Sequence, residues 1–112
     1  MDFKLEQIGE VMVAQVCEET LATNNVQDFK SMMSDLFKPD AKIVLDMSCL
    51  KFVDSAGIGA LLSCVKNTSL SKGALRLCNV TTQVRNLFEL VRVHRFLQVF
   101  NTLDEAVRSF DQ

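Results

Sequence analysis

The chain has 112 residues, the length of one domain, and 48% of them are hydrophobic against 23% charged, which excludes a disordered tail and implies a single domain over residues 1–112. Its 12 Lys and Arg and 14 Asp and Glu are intermixed and sum to -2, so no basic stripe is available to neutralise phosphates and nucleic acid is not an expected partner. The N-terminus lacks the basic start and apolar run of a signal peptide, and no apolar run approaches the roughly 20 residues of a membrane helix, so a cytoplasmic protein without direct membrane insertion is expected.

Phe3, Leu5 and Gln7 alternate with polar neighbours, Gly9-Glu10 interrupts, and Val11 to Val16 resumes with β-branched residues. This pattern predicts an antiparallel hairpin. Val26, Phe29, Met33, Leu36 and Phe37 then mark one face of a helix that ends before Pro39. The nearly continuous apolar run Lys42 to Met47 has the character of a strand buried on both faces, hence a central parallel strand. After a loop from Cys49 to Asp54, Ile58, Leu61, Leu62 and Val65 stand at i, i+3, i+4 and i+7 of a second helix, for which Gly73 is the stop signal.

Ala74 to Val80 reads as a further strand; Val84, Leu87, Phe88 and Val91 mark a third helix. Phe96 to Phe100 reads as a last strand, and Leu103, Ala106, Val107 and Phe110 mark a fourth helix. Strands alternating with helices imply right-handed crossovers, so the expected class is α/β, a mixed, mostly parallel sheet of about five strands with about four helices and an N-terminal antiparallel hairpin. The expected core includes Val44, Leu45, Leu61, Leu62, Leu77, Leu87 and Phe88, and Phe29, Phe37, Phe96, Phe100 and Phe110 are also assigned to it. Cys17, Cys49, Cys64 and Cys78 are widely spaced without a C-x-x-C pair, so they read as buried free thiols, and neither a metal nor a cofactor is expected.

In a parallel α/β sheet, partners meet the loops at the carboxyl ends of the strands. The loop after the central strand reads Phe52-Val53-Asp54-Ser55-Ala56-Gly57-Ile58-Gly59. Asp54 and Ser55 stand where N-cap residues belong, with side-chain oxygens able to accept orphan backbone N–H groups. Ala56, Gly59 and Ser63 leave one flank of the following helix lined with small residues, open to close approach by a partner. A phosphoryl group on Ser55 would lie at the helix N-terminus, where free N–H groups and the dipole favour an anion. Gly57 and Gly59 are read as permitting tight loop-to-helix geometry and close partner approach.

The segment Ile43 to Leu62, with V-L-D-M-S-C-L-K-F-V-D-S-A-G-I-G-A-L-L, resembles the signature of STAS domains, in which a strand and loop deliver D-S-x-G to a helix start. The later L-R-L-C-N-V, V-R-N-L-F-E-L and F-N-T-L-D-E-A-V are similar to that family's strand, helix and closing helix, so the resemblance covers nearly the whole chain. It implies a STAS fold and an anti-sigma factor antagonist. Such a domain binds a serine-kinase anti-sigma factor while unmodified, loses it when the loop serine is phosphorylated, and is reset by a metal-dependent serine phosphatase. Ser55 is the implied phosphorylation site, since the next position, a second hydroxyl residue in some members, is Ala56; with the small-residue flank read above, the expected partner contacts are Asp54, Ser55, Ala56, Gly57, Gly59 and Ser63. Cys17 to Thr23 departs from the family, lacking the Gly and Asp of a G-E-L-D-like turn.

An α/β-hydrolase reading of V-D-S-A-G as a nucleophile elbow fails because the first Gly is Val53, the chain is short for that fold and the only histidine, His94, lies in a separate loop. Glu18 and Glu19, adjacent in sequence, point to opposite sides of an extended chain and make no acid/base pair. The alternative within the same fold is a constitutive docking subunit of an ABC-type lipid transport or stress-signalling complex.

Overall fold

The hairpin forms as its alternation requires: in the computed structural model, which describes residues 1–111, β1 (Phe3–Ile8) pairs antiparallel with β2 (Val11–Val16) across the turn at Gly9-Glu10. The chain continues through β3 (Thr20–Leu21), α1 (Val26–Ser34), β4 (Lys42–Asp46), β5 (Phe52–Val53), α2 (Ser55–Leu70), β6 (Ala74–Cys78), α3 (Thr82–Leu90), β7 (Val99–Phe100) and α4 (Leu103–Arg108). Short 3₁₀ turns at Val93–Phe96 and Ser109–Asp111 flank the last strand and helix. The main sheet has the order β1-β2-β4-β6-β7, with every pairing after the hairpin parallel, which is the mixed α/β architecture expected.

The β4 strand lies between β2 and β6, and Ile43, Val44 and Leu45 are all fully buried, as a strand covered on both faces demands. Val26, Phe29 and Met33 from α1, Ile58 and Leu61 from α2 and Val84 and Phe88 from α3 pack with Ile43, Leu45, Leu75 and Leu77 on one face. On the other, Ala106 of α4 packs with Val11, Val13, Val44 and Cys78. Three helices therefore cover one face and α4 alone covers part of the second.

Several expectations are corrected. Leu62 and Leu87 are only half-buried, because each sits at the rim of its helix's apolar face while Leu61 and Phe88 occupy the centre. Phe96 is 60% exposed: its segment closes into a 3₁₀ turn, which shortens the last strand to Val99–Phe100 and turns the ring outward. Phe37, Phe100 and Phe110 are half-buried. Leu36 and Phe37 lie beyond the end of α1, yet still pack against the core. The end of α2 places Lys72, not Gly73, in the left-handed region (φ +64); Gly73 instead admits the backbone of Ala41, which a Cβ would strike. All four cysteines are free, but only Cys64 and Cys78 are buried.

Candidate functional site

The segment from β4 to α2 is held at both ends. Met47 N–H donates to the Cys78 carbonyl at 3.0 Å, continuing the sheet's bonding past β4, and the Thr81 hydroxyl donates to the Leu50 carbonyl at 2.7 Å. Phe52 and Val53 then form β5, which pairs in parallel with Thr20-Leu21 of β3 in a small second sheet. This pairing brings the segment Cys17 to Thr23 against the loop, and Lys51 N–H and Phe52 N–H both donate to the Glu19 carbonyl, at 2.7 and 3.1 Å.

Asp54 alone is the N-cap of α2. Its Oδ1 accepts the Gly57 N–H at 2.9 Å, while Oδ2 accepts both the Thr23 N–H at 3.1 Å and the Thr23 hydroxyl at 3.0 Å. The hydrogen bond from Gly57, then that from the Thr23 backbone, holds the Asp54 carboxyl below the ordinary carboxylate range, desolvation opposing them only in part. Ser55 is the first helical residue, exposed, and its hydroxyl takes no part in the bonds that fix the loop. The cap role expected of Asp54 and Ser55 together thus belongs to Asp54, and Ser55 stands as an exposed residue at the start of a 16-residue helix.

Gly59 and Ser63 are exposed and Ala56 half-buried along the same helix, and a Cβ on Gly59 would meet nothing within 4 Å. Gly57 is placed differently from a partner contact: it is buried, and a Cβ there would run into the Leu21 carbonyl oxygen and Val53 Cγ1. Its absence of a side chain lets the first turn of α2 sit on β3 and β5. Two further residues belong to the site and are not marked by the sequence motif. Thr23 reaches Asp54 across 31 residues of chain, a contact that no local pattern announces. Phe52 is 55% exposed one residue before the buried Val53; the period-two alternation of a strand was the signal for it.

His94 lies exposed on the 3₁₀ turn after α3 and makes none of the hydrogen bonds that organise the Ser55 loop. Glu19 engages Lys51 at 3.4 Å, an exposed ion pair, and Glu18 Oε2 accepts the Asp2 N–H at 3.2 Å, so the two carboxylates have separate structural partners.

A sequence model described as the STAS domain matches residues 2–106. A Bordetella bronchiseptica protein named "Putative anti-sigma factor antagonist BtrV" is 24% identical over 110 residues, 98% of this chain and 95% of that one. The solved anti-sigma-factor antagonist (STAS) domain protein of Planctomyces limnophilus superposes with a TM-score of 0.89 at 17% identity, over 100% of both chains. The anti-sigma factor antagonist SpoIIAA, solved in its unphosphorylated form, superposes with a TM-score of 0.74 at 21% identity, over 98% of this chain and 96% of that one. The Bacillus cell fate determinant SpoIIAA in the phosphorylated form gives 0.67 at 21% identity, over 97% and 99%.

Proposed function

The chain belongs to the STAS domain family, and from that premise we propose that it is an anti-sigma factor antagonist, a protein-binding switch and not a catalyst. Unmodified, it sequesters a serine-kinase anti-sigma factor; phosphorylation of Ser55 dissolves the complex, and a metal-dependent serine phosphatase restores it. One observation carries this reading: Asp54 alone caps and anchors the loop, so the neighbouring Ser55 hydroxyl is exposed and free of structural duty at the start of α2. Such a hydroxyl can be modified without breaking a bond that the fold needs. A phosphoryl group there would sit by the positive end of a 16-residue helix, so the domain tolerates it. An opposing protein surface packed on Ala56, Gly59 and Ser63 would not, because the roughly -1.5 to -2 charges of the group must then be desolvated.

The similarity to SpoIIAA, a protein solved in both phosphorylated and unphosphorylated forms, supports the same reading. Phe52, exposed on the short strand that leads into α2, supplies an apolar anchor for a partner. The experiment is affinity capture of the partner, followed by incubation with it and ATP and localisation of phosphate by mass spectrometry. Capture of a serine kinase that modifies Ser55 is the expected result. Capture of an ABC-type ATPase, or phosphate on Ser48, Ser63 or Thr68 with Ser55 untouched, would favour a constitutive docking subunit.

A further inference from the structure

The β1 strand is the edge of the main sheet, paired with β2 on one side only. It runs six residues, Phe3–Ile8, without proline, glycine or bulge. Cys17 N–H donates to the Asp2 carbonyl at 2.9 Å, so the main-chain groups of Asp2 point toward β2. By the alternation of an antiparallel strand those of Lys4, Glu6 and Ile8 do the same, and those of Phe3, Leu5 and Gln7 face outward at the open edge. Natural proteins blunt such an edge; an open one is a template for another strand.

The side chains specify which strand. Phe3 stacks on Phe29 of α1 with ring centroids 6.0 Å apart, so Phe3, Leu5 and Gln7 share the face that bears three helices. Leu5 is 54% exposed there. Lys4 and Glu6 lie on the opposite face, both exposed, and neither is in an ion pair among the described residues.

We propose that β1 is a self-association edge, pairing antiparallel with β1 of a second copy about a two-fold axis at Leu5. In this register Leu5 meets the Leu5 of the second copy as a hydrogen-bonded pair and Phe3 meets its Gln7, giving about six backbone hydrogen bonds from groups already facing outward. Lys4 then stands directly opposite Glu6 of the second copy, twice by symmetry, in the closely spaced non-hydrogen-bonded positions where side chains interact most strongly. Sliding one strand by two residues sets Lys4 against Lys4 or Glu6 against Glu6, so the charges select this register. The interface is isologous and closed, joining two sheets into one.

Sedimentation velocity over a concentration series tests this, with Lys4→Glu, Glu6→Lys and the double exchange. Wild type should dimerise reversibly. Each single reversal creates two like-charge pairs and should weaken dimerisation by about tenfold or more, while the double exchange should return it to within about threefold of wild type. Hydrogen exchange at Phe3, Leu5 and Gln7 should slow as protein concentration rises, with Lys4, Glu6 and Ile8 protected throughout. A monomer at every concentration up to about millimolar, a dimer indifferent to the single reversals, or a double exchange that fails to restore it would overturn the proposal.

Discussion

Asp54 and Ser55 stand side by side with different work, the Asp54 carboxylate holding the loop and the exposed Ser55 contributing no side-chain hydrogen bond to it. Ser55→Ala should therefore bind the partner as wild type does and accept no phosphate, while Ser55→Asp, adding one negative charge, should weaken binding less completely than phosphorylation; a calorimetric titration of each variant checks both. Asp54 has a folded-state pKa below its ordinary 3.8, so the stabilisation it brings is complete above that value and is lost as pH falls through the lowered one. Asp54→Asn, which keeps a capping oxygen, should flatten the dependence of stability on pH below about pH 4, read from thermal unfolding at a series of pH values. Burial pushes the Cys64 and Cys78 thiols up to about 12, so both are protonated at neutral pH. Iodoacetamide on the native protein at neutral pH should label the half-buried Cys17 and Cys49 first, as peptide mapping would reveal. The Asp54 cap was legible because capping is local. Its anchor Thr23 was not, since the bond spans 31 residues.

At the level of the elements, periodicity identified the helix that bears the site but not the depth of each side chain. Leu61 and Leu62 both fall on the apolar stripe of α2, yet Leu61 is fully buried and Leu62 half-buried. Leu61→Ala should cost about 2–5 kcal/mol and Leu62→Ala distinctly less, measured by denaturant unfolding. The two glycines of the first turns divide in the same way. Gly57→Val must displace the Leu21 backbone or Val53 and should destabilise the fold and distort the Ser55 loop; Gly59→Val faces open space, should fold normally and should lose partner affinity. Normal binding by Gly59→Val would remove this flank from the interface. The β3–β5 pair was missed because two-residue strands carry too few positions for an alternation to register. It matters to the site, since it brings the segment carrying Thr23 against Asp54.

For the molecule as a whole, the order of the main-sheet strands and the four α-helices, the mixed sheet and the central position of β4 were all readable, because each rests on hydrophobic patterns several residues long. The 3₁₀ turn that exposes Phe96 was not, because a Phe beside a short apolar segment reads the same whether the chain runs straight or coils. The Ser55 hydroxyl takes no part in the hydrogen bonds that hold its loop, so its modification should change what the surface accepts and leave the fold intact. The most direct measurement is a binding titration of the captured partner against the Ser55-phosphorylated and unphosphorylated protein, with thermal unfolding recorded on the same samples. The expected result is tight binding by the unmodified protein, a loss of affinity of about a hundredfold or more on phosphorylation, and closely similar unfolding transitions. Equal affinity for the two forms, or a loss of affinity accompanied by loss of the folded state, would contradict the switch.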